Sequence, residues 1–362
     1  PEIDAGVISA LRSEGALAVG KSNLHEFAFG TTSNNAYFGP VRNPHDRTRS
    51  AGGSSGGSAA SVALGTVPFA LGTDTGASVV LPAALCGIVG YRPSTGRYPG
   101  DGVIHLCWTR DTIGLHANTV DDIRLLDSVI ARGSPRRDPA PTTGELRLGV
   151  PRSRYEDLES EVAAAMDDTL ERLGTAGVTL VDVDVPGAGR LNDEGFPMVF
   201  FEAYRNITDY VTHLAPRFAK LTIEQIAERT GSPDVTGIFR RIAAQEVTPQ
   251  QYASANASRN DLRARYQRMF AESGVAGLIF PTAPYLAQKL GNELTITYDG
   301  VERDLFPTAT RNVGPGGLAG TPQVSIPVSR PTAALPVGLT IEGPIGGDDH
   351  TLAIADILAD VI

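Results

Sequence analysis

The chain has 362 residues, 41% of them apolar and 20% charged, which is enough to bury a sizeable core and too apolar for a disordered chain. Its net charge of −10 argues against nucleic acid or an anionic membrane surface as a partner and leaves a small neutral ligand open. No run reaches the roughly 18 apolar residues of a membrane-spanning helix. The two cysteines, Cys86 and Cys107, are too few for a disulfide framework and read as reduced core thiols of a cytoplasmic protein.

In chain order, Pro1 falls inside an α/β pattern, so the native beginning is expected upstream of it. Asp4 is placed to cap a helix with Val7, Ile8 and Leu11 on one face, and residues 16–19 read as a short strand. Residues 23–29 are a helix candidate; 58–64 read as a small-residue helix and 67–71 as a strand. A strand at 146–150, a helix capped by Ser160 with Val162, Met166, Leu170 and Leu173 on one face, and a strand at 178–185 follow. This alternation predicts a mostly parallel sheet flanked by helices. Residues 190–272 change character and read as a helical cap or subdomain within a single domain spanning 1–362; its Phe200, Phe201 and Tyr204 are assigned to core rather than pocket. Further strands are expected at 278–280, 324–326 and 337–341, a hairpin turning at Asp299-Gly300, and a closing helix over 350–362.

Three glycine-rich matches carry chemistry. The run from Gly15 to Gly20-Lys21-Ser22 fits the phosphate-loop pattern, but the residues between its glycines are strand-like where that loop needs free backbone N–H groups. A strand ending at a structural lysine fits better. Gly52-Gly53-Ser54-Ser55-Gly56 fits the nucleophile-elbow pattern, yet a polar, turn-like segment precedes it, and nothing marks His116 or His350 as the partner base. The third is composite. Gly72-Thr73-Asp74-Thr75-Gly76-Ala77-Ser78 follows a strand, and its small residues leave the N–H groups of Thr75, Gly76 and Ala77 able to converge on a developing oxyanion. Two serines on adjoining loops can then pass a proton to a base, which places the Ser54 and Ser78 side chains within hydrogen-bond reach or one small rotamer change of it.

These stretches, continued by residues 82–93, Arg110-Asp111-Thr112-Ile113-Gly114, Phe280-Pro281-Thr282, Ala319-Gly320-Thr321-Pro322 and Leu335-Pro336-Val337-Gly338-Leu339, resemble the amidase signature family. Within it, residues 311–315 and Glu342-Gly343-Pro344 look most like the indoleacetamide and mandelamide hydrolases. The resemblance implies an α/β fold with a twisted mixed sheet between helices. It also implies hydrolysis of a carboxamide to carboxylate and ammonia through an acyl-enzyme. No cluster of His, Cys, Asp and Glu stands at metal-ligand spacing in the sequence, so no cofactor is expected. Ser78 falls on the family's nucleophile, Ser54 on a bridging serine held in a cis peptide, Ser55 on a hydrogen-bonding support, and Thr75, Gly76 and Ala77 on the oxyanion loop. The catalytic lysine is expected ahead of Pro1; Lys21 aligns with a second, non-catalytic lysine. The chain departs from the pattern at Ala77, where a glycine is usual, and at Val80, where an arginine is usual, so an ordering charge under the loop is absent or comes from elsewhere. The expected partner is a small neutral amide of arylacetamide type. The alternatives are the amidase subunit of a glutamine-dependent amidotransferase and a fragment left inactive without its lysine. The oligomeric state is open, a homodimer being one option.

Overall fold

The computed structural model describes residues 3–131, 142–214, 221–328 and 335–362. Helix α1 (Gly6–Ser13) buries Val7, Ala10 and Leu11 as its apolar spacing demands. Asp4 does not cap it; its carboxylate pairs with Arg12 at 2.6 Å, and Ala5 is the N-cap. Residues 16–19 are not a strand: Leu17 and Val19 stand exposed, because no neighbour supplies the ladder that a strand needs. Of the predicted helix at 23–29 only one tight turn forms, Glu26–Ala28. A two-residue pair follows, β1 (Asn34–Asn35) with β2 (Gly39–Pro40). Then come α2 (Gly56–Ala63), β3 (Phe69–Asp74), α3 (Val80–Cys86), β4 (Val89–Arg92), β5 (Thr112–Ala117) and α4 (Val120–Ile130).

The next unit is β6 (Arg147–Pro151), α5 (Ser160–Thr175) and β7 (Thr179–Val183). Ser160 is the first residue of α5 rather than its cap; Glu159 is the N-cap, and Ser160 Oγ donates to Asp299. Five helices follow: α6 (Ala188–Gly195), α7 (Pro197–Thr212), α8 (Ile223–Arg229), α9 (Pro233–Ala243) and α10 (Pro249–Ser273). The 190–272 region is thus helical in its described residues, while 215–220 lies outside them. The chain ends with β8 (Gly277–Pro281), a hairpin of β9 (Thr295–Tyr298) and β10 (Val301–Asp304), α11 (Leu305–Thr310), α12 (Gly314–Ala319), β11 (Gln323–Pro327), β12 (Gly338–Glu342) and α13 (Asp348–Ala359). The hairpin turns on Asp299 and Gly300, both at positive φ, as a two-residue turn of this sequence requires.

The main sheet has eight strands in the order β3-β5-β4-β11-β12-β8-β6-β7. It is mixed, as the family resemblance implies, and the expectation of a mostly parallel sheet is corrected. Only β8-β6-β7 run parallel; every other neighbour is antiparallel. The reason lies in what local pattern reports. The unit β3-α3-β4 is a genuine crossover between strands of the same direction, but β5 slots between them and runs the other way. Periodicity senses the crossover and is blind to the inserted strand.

Beside a smaller apolar core between α2 and α3, two large ones cover the sheet. One is built by the helical region with α12 and α3, the other by α1, α4, α5 and α13. Near the join of α10, α12 and β12 lies a buried polar knot. Arg154 Nη1 donates to Glu342 Oε2 at 2.6 Å and Arg154 Nη2 to the Tyr266 hydroxyl at 2.5 Å, while Thr321 Oγ1 donates to Glu342 Oε1 at 2.7 Å. Gly316 is glycine because a Cβ there would lie 1.8 Å from Glu342 Oε1. Replacing Glu342 by Gln leaves the Arg154 charge unpaired in the interior, and the expected loss is about 3–5 kcal/mol in a denaturant titration. His116 on β5 gives a second prediction. It is fully buried, with Nε2 2.9 Å from the Val79 carbonyl, and burial lowers its pKa to about 4. Because the folded value lies below the unfolded value of roughly 6.5, its contribution is complete above that pH and is lost as pH falls towards the folded value. His116→Gln should therefore reduce the loss in melting temperature between pH 7 and pH 4.5.

Candidate active site

Two loops meet at the end of β3. The first carries Ser54 and Ser55 into α2, with a cis peptide between Gly53 and Ser54. The second, residues 75–79, joins β3 to α3. The backbone N–H of Ser55 donates to the Ser78 carbonyl at 3.1 Å, which binds one loop to the other. Ser55 Oγ adds a second tie, sitting 3.3 Å from the Thr73 carbonyl and 3.2 Å from the Thr73 N–H. A Cβ on Gly72 would strike the Ser55 Oγ at 2.8 Å.

The serine loop is held from behind by residues to which the sequence assigned no role. The Ser54 carbonyl accepts from the His25 N–H at 3.0 Å and from Ser33 Oγ at 2.9 Å. Gly57 approaches the Asn23 carbonyl so closely that a Cβ would lie 2.1 Å from that oxygen. His25 is itself buried, its Nδ1 accepting from the Ser33 N–H and its Nε2 lying 3.0 Å from Asp234 Oδ2 on α9. Ser54 is fully buried, and its hydroxyl has no hydrogen-bond partner among the described residues. In this conformation the Ser54 and Ser78 hydroxyls are therefore not hydrogen-bonded to each other. Lys21 is exposed in the irregular segment after α1, and the strand expected to end at it is absent.

In the second loop the carbonyls and side chains of Asp74 and Thr75 are spoken for. Arg92 and Asp74 form an ion pair at 2.8 Å with both side chains fully buried, and Arg92 Nη1 also donates to the Asp74 carbonyl at 2.5 Å. The other carboxylate oxygen of Asp74 accepts the Val79 N–H at 2.7 Å. Arg110 Nε donates to the Thr75 carbonyl at 3.0 Å, and Thr75 Oγ1 donates to Asp111 at 2.7 Å. By contrast, the N–H groups of Thr75, Gly76 and Ala77 have no protein acceptor among the described residues. Val80, where the family pattern has arginine, is fully buried in apolar surroundings. Ala77 does not adopt positive φ, so its methyl brings no backbone strain.

A cavity of about 290 Å³ opens on this loop, lined by Thr75, Gly76, Ala77 and Ser78. Its far wall comes from α6, α7 and α11 through Asn192, Phe196, Val199 and Phe306. Phe196 and Phe306 meet edge to face at 5.6 Å. A neighbouring cavity of about 640 Å³ shares Thr75 and Leu106 with it but does not reach Ser78. Phe200, Phe201 and Tyr204 do not line the Ser78 cavity; Phe200 is buried and Phe201 stacks on Tyr252. Spacing gave no sign of Phe196 or Phe306, since they lie on separate helices more than a hundred residues apart in sequence.

The family model described as amidase matches residues 1–352. An indoleacetamide hydrolase of Rhizobium radiobacter is 39% identical over 366 residues, covering 100% of this chain and 78% of the relative. A mandelamide hydrolase of Pseudomonas putida is 36% identical over 380 residues, covering 100% of this chain and 73% of the relative. A crystal structure of an amidase superposes with a TM-score of 0.88 at 31% identity, covering 99% of this chain and 78% of that one. With a family match over nearly the whole chain and relatives of this similarity, the chain belongs to the amidase family and is an amide-hydrolysing enzyme.

Proposed function

We propose that the chain hydrolyses neutral carboxamides of arylacetamide type to carboxylate and ammonia through an acyl-enzyme on Ser78. The observation that carries this is Ser78 at the wall of a mostly apolar cavity, next in the chain to three N–H groups without protein acceptors among the described residues. Ser78 Oγ attacks the amide carbon, and its proton passes through Ser54 Oγ to a base. The buried Ser54 hydroxyl, which lacks a partner, is the group such a base would contact. The carbonyl oxygen becomes an oxyanion against the N–H groups of Thr75, Gly76 and Ala77. Collapse breaks the C–N bond, the returning proton leaves with ammonia, and water then cleaves the acyl-Ser78 ester. Ser55 holds the two loops in register. The helical region acts as a cap, since α6 and α7 supply one side of the acyl pocket, and the crossed rings of Phe196 and Phe306 suit a flat aromatic acyl group. The 36–39% identity to indoleacetamide and mandelamide hydrolases supports the same substrate class.

Ser78→Ala should abolish phenylacetamide hydrolysis and labelling by a fluorophosphonate followed by mass spectrometry. Ser54→Ala should slow turnover by a factor on the order of 10²–10⁴ while leaving slow labelling of Ser78. Near-normal turnover by the Ser78 variant would remove the assignment. Phe306→Ala should raise KM for phenylacetamide by about tenfold, the loss of roughly 1.4 kcal/mol of ring contact, and leave acetamide unchanged. At Ala77 the methyl acts by bulk rather than by backbone strain. Ala77→Gly should therefore admit α-substituted amides such as mandelamide, with little change in kcat for small ones; identical kcat/KM profiles across the two proteins would show that the methyl is neutral.

A further inference from the structure

Two guanidinium groups lie against the loop from Asp74 to Ser78, and that of Arg110 also reaches the lining of the Ser78 cavity. Arg92 holds the Asp74 carbonyl, but its charge is answered by the Asp74 carboxylate. Arg110 holds the Thr75 carbonyl, and its situation differs. It is 2% exposed, and among the described residues it has no carboxylate ion pair. Its Nη1 is buried without an acceptor, and its Nη2 reaches only Asn192 Oδ1, at 3.4 Å. Burial holds its pKa below that of a free guanidinium. An unanswered buried cation is costly and is expected to act on whatever dipole lies against it. Here that dipole is the Thr75–Gly76 peptide.

A trans peptide points its N–H opposite to its carbonyl. Arg110 on the Thr75 oxygen thus turns the Gly76 N–H away from itself, and a charged donor on a carbonyl polarises the N–H of the same peptide. The loop cannot swing to escape this. Gly317 of α12 lies on it so closely that a Cβ there would sit 3.2 Å from the Gly76 Cα, and the Thr75 hydroxyl is tied to Asp111. We propose that Arg110 is a positioning residue for amide hydrolysis: its buried charge, applied through the Thr75 carbonyl, aims and strengthens the Gly76 N–H that receives the oxyanion. It thereby supplies from β5's leading loop the charge that position 80 lacks. This inference rests on the assignment of Ser78 as nucleophile.

The test compares a tetrahedral adduct with a planar ground state. Binding of 2-phenylethylboronic acid, which adds to a serine hydroxyl, and of phenylacetamide is measured for the protein and for Arg110→Met, Arg110→Gln and Arg110→Lys, with melting curves to confirm folding. Met and Gln should weaken the boronate by about 10- to 100-fold, short of the 10²–10³ lost with a whole oxyanion donor. Phenylacetamide affinity should change less than about threefold, and Lys should recover part of the boronate loss. If Met does not fold, the contrast between Gln and Lys decides alone. Equal weakening of both ligands, no weakening of either, or wild-type boronate affinity in the Gln variant would each overturn the proposal. A different failure is read from Ser78→Ala alone: if it binds boronate as tightly as the parent protein, the nucleophile assignment falls first and this inference with it.

Discussion

The Asp74 carboxylate is fully buried at the end of β3, and the site depends on how it is satisfied. A carboxylate removed from water is stable only when paired and hydrogen-bonded. Arg92 of β4 provides the charge and the Val79 N–H provides the bond on the far side of the loop. Those two contacts make the four residues between Asp74 and Val79 close into a tight arch. Arg92 also donates to the Arg110 carbonyl at 2.7 Å and to the Gly317 carbonyl at 3.2 Å, so one side chain gathers the arch, the segment before β5 and the glycine-rich helix α12. The arch's carbonyls at Asp74 and Thr75 are taken by guanidinium groups, while the N–H groups of Thr75, Gly76 and Ala77 have no protein acceptor among the described residues.

The serine loop shows the complementary constraint, which is space. The glycines around Ser54 are close-approach residues: Gly53 and Gly56 lie against Ser33, and Gly57 against the Asn23 carbonyl. Any Cβ at these places would push the loop off the 23–33 segment that backs it. The result is a second backbone segment pressed onto the first, joined by the Ser55 N–H to the Ser78 carbonyl. Small residues on one loop and buried charge on the other thus do separate jobs, closeness and orientation.

The helical region between β7 and β8 acts on a third level. It is amphipathic, and its apolar faces belong to the same core that carries Ala77 and Val80. The wall of the Ser78 cavity is therefore continuous with the core packing, and a change in α6 or α7 reaches the cavity without touching the serines. His25 adds a link of another kind, since it bonds the Ser54 carbonyl through its backbone and meets Asp234 of α9 through its ring.

Much of this was legible in the residues. The helix α5 and the strands β6, β8, β11 and β12 follow from local pattern, because each buries one face or both. The glycine-rich runs at 52–58 and 72–78 marked the two loops, since only small residues allow such backbone exposure. Other features needed the tertiary structure. The insertion of β5 between β3 and β4 is a pairing between distant segments, and local pattern carries no information about it. The extended stretch at 16–19 looked like a strand because propensity is local, whereas a ladder requires a neighbour. Arg92 and Arg110 stood among 28 unremarkable arginines until folding buried them beside one loop. Phe196 and Phe306 became a pocket wall only when α7's start and α11 were brought together. The sequence by itself determined which segments expose backbone and which bury side chains, since composition and period act over a few residues. Which dipoles those side chains face was decided by the tertiary structure, because electrostatic partners are chosen by distance in space.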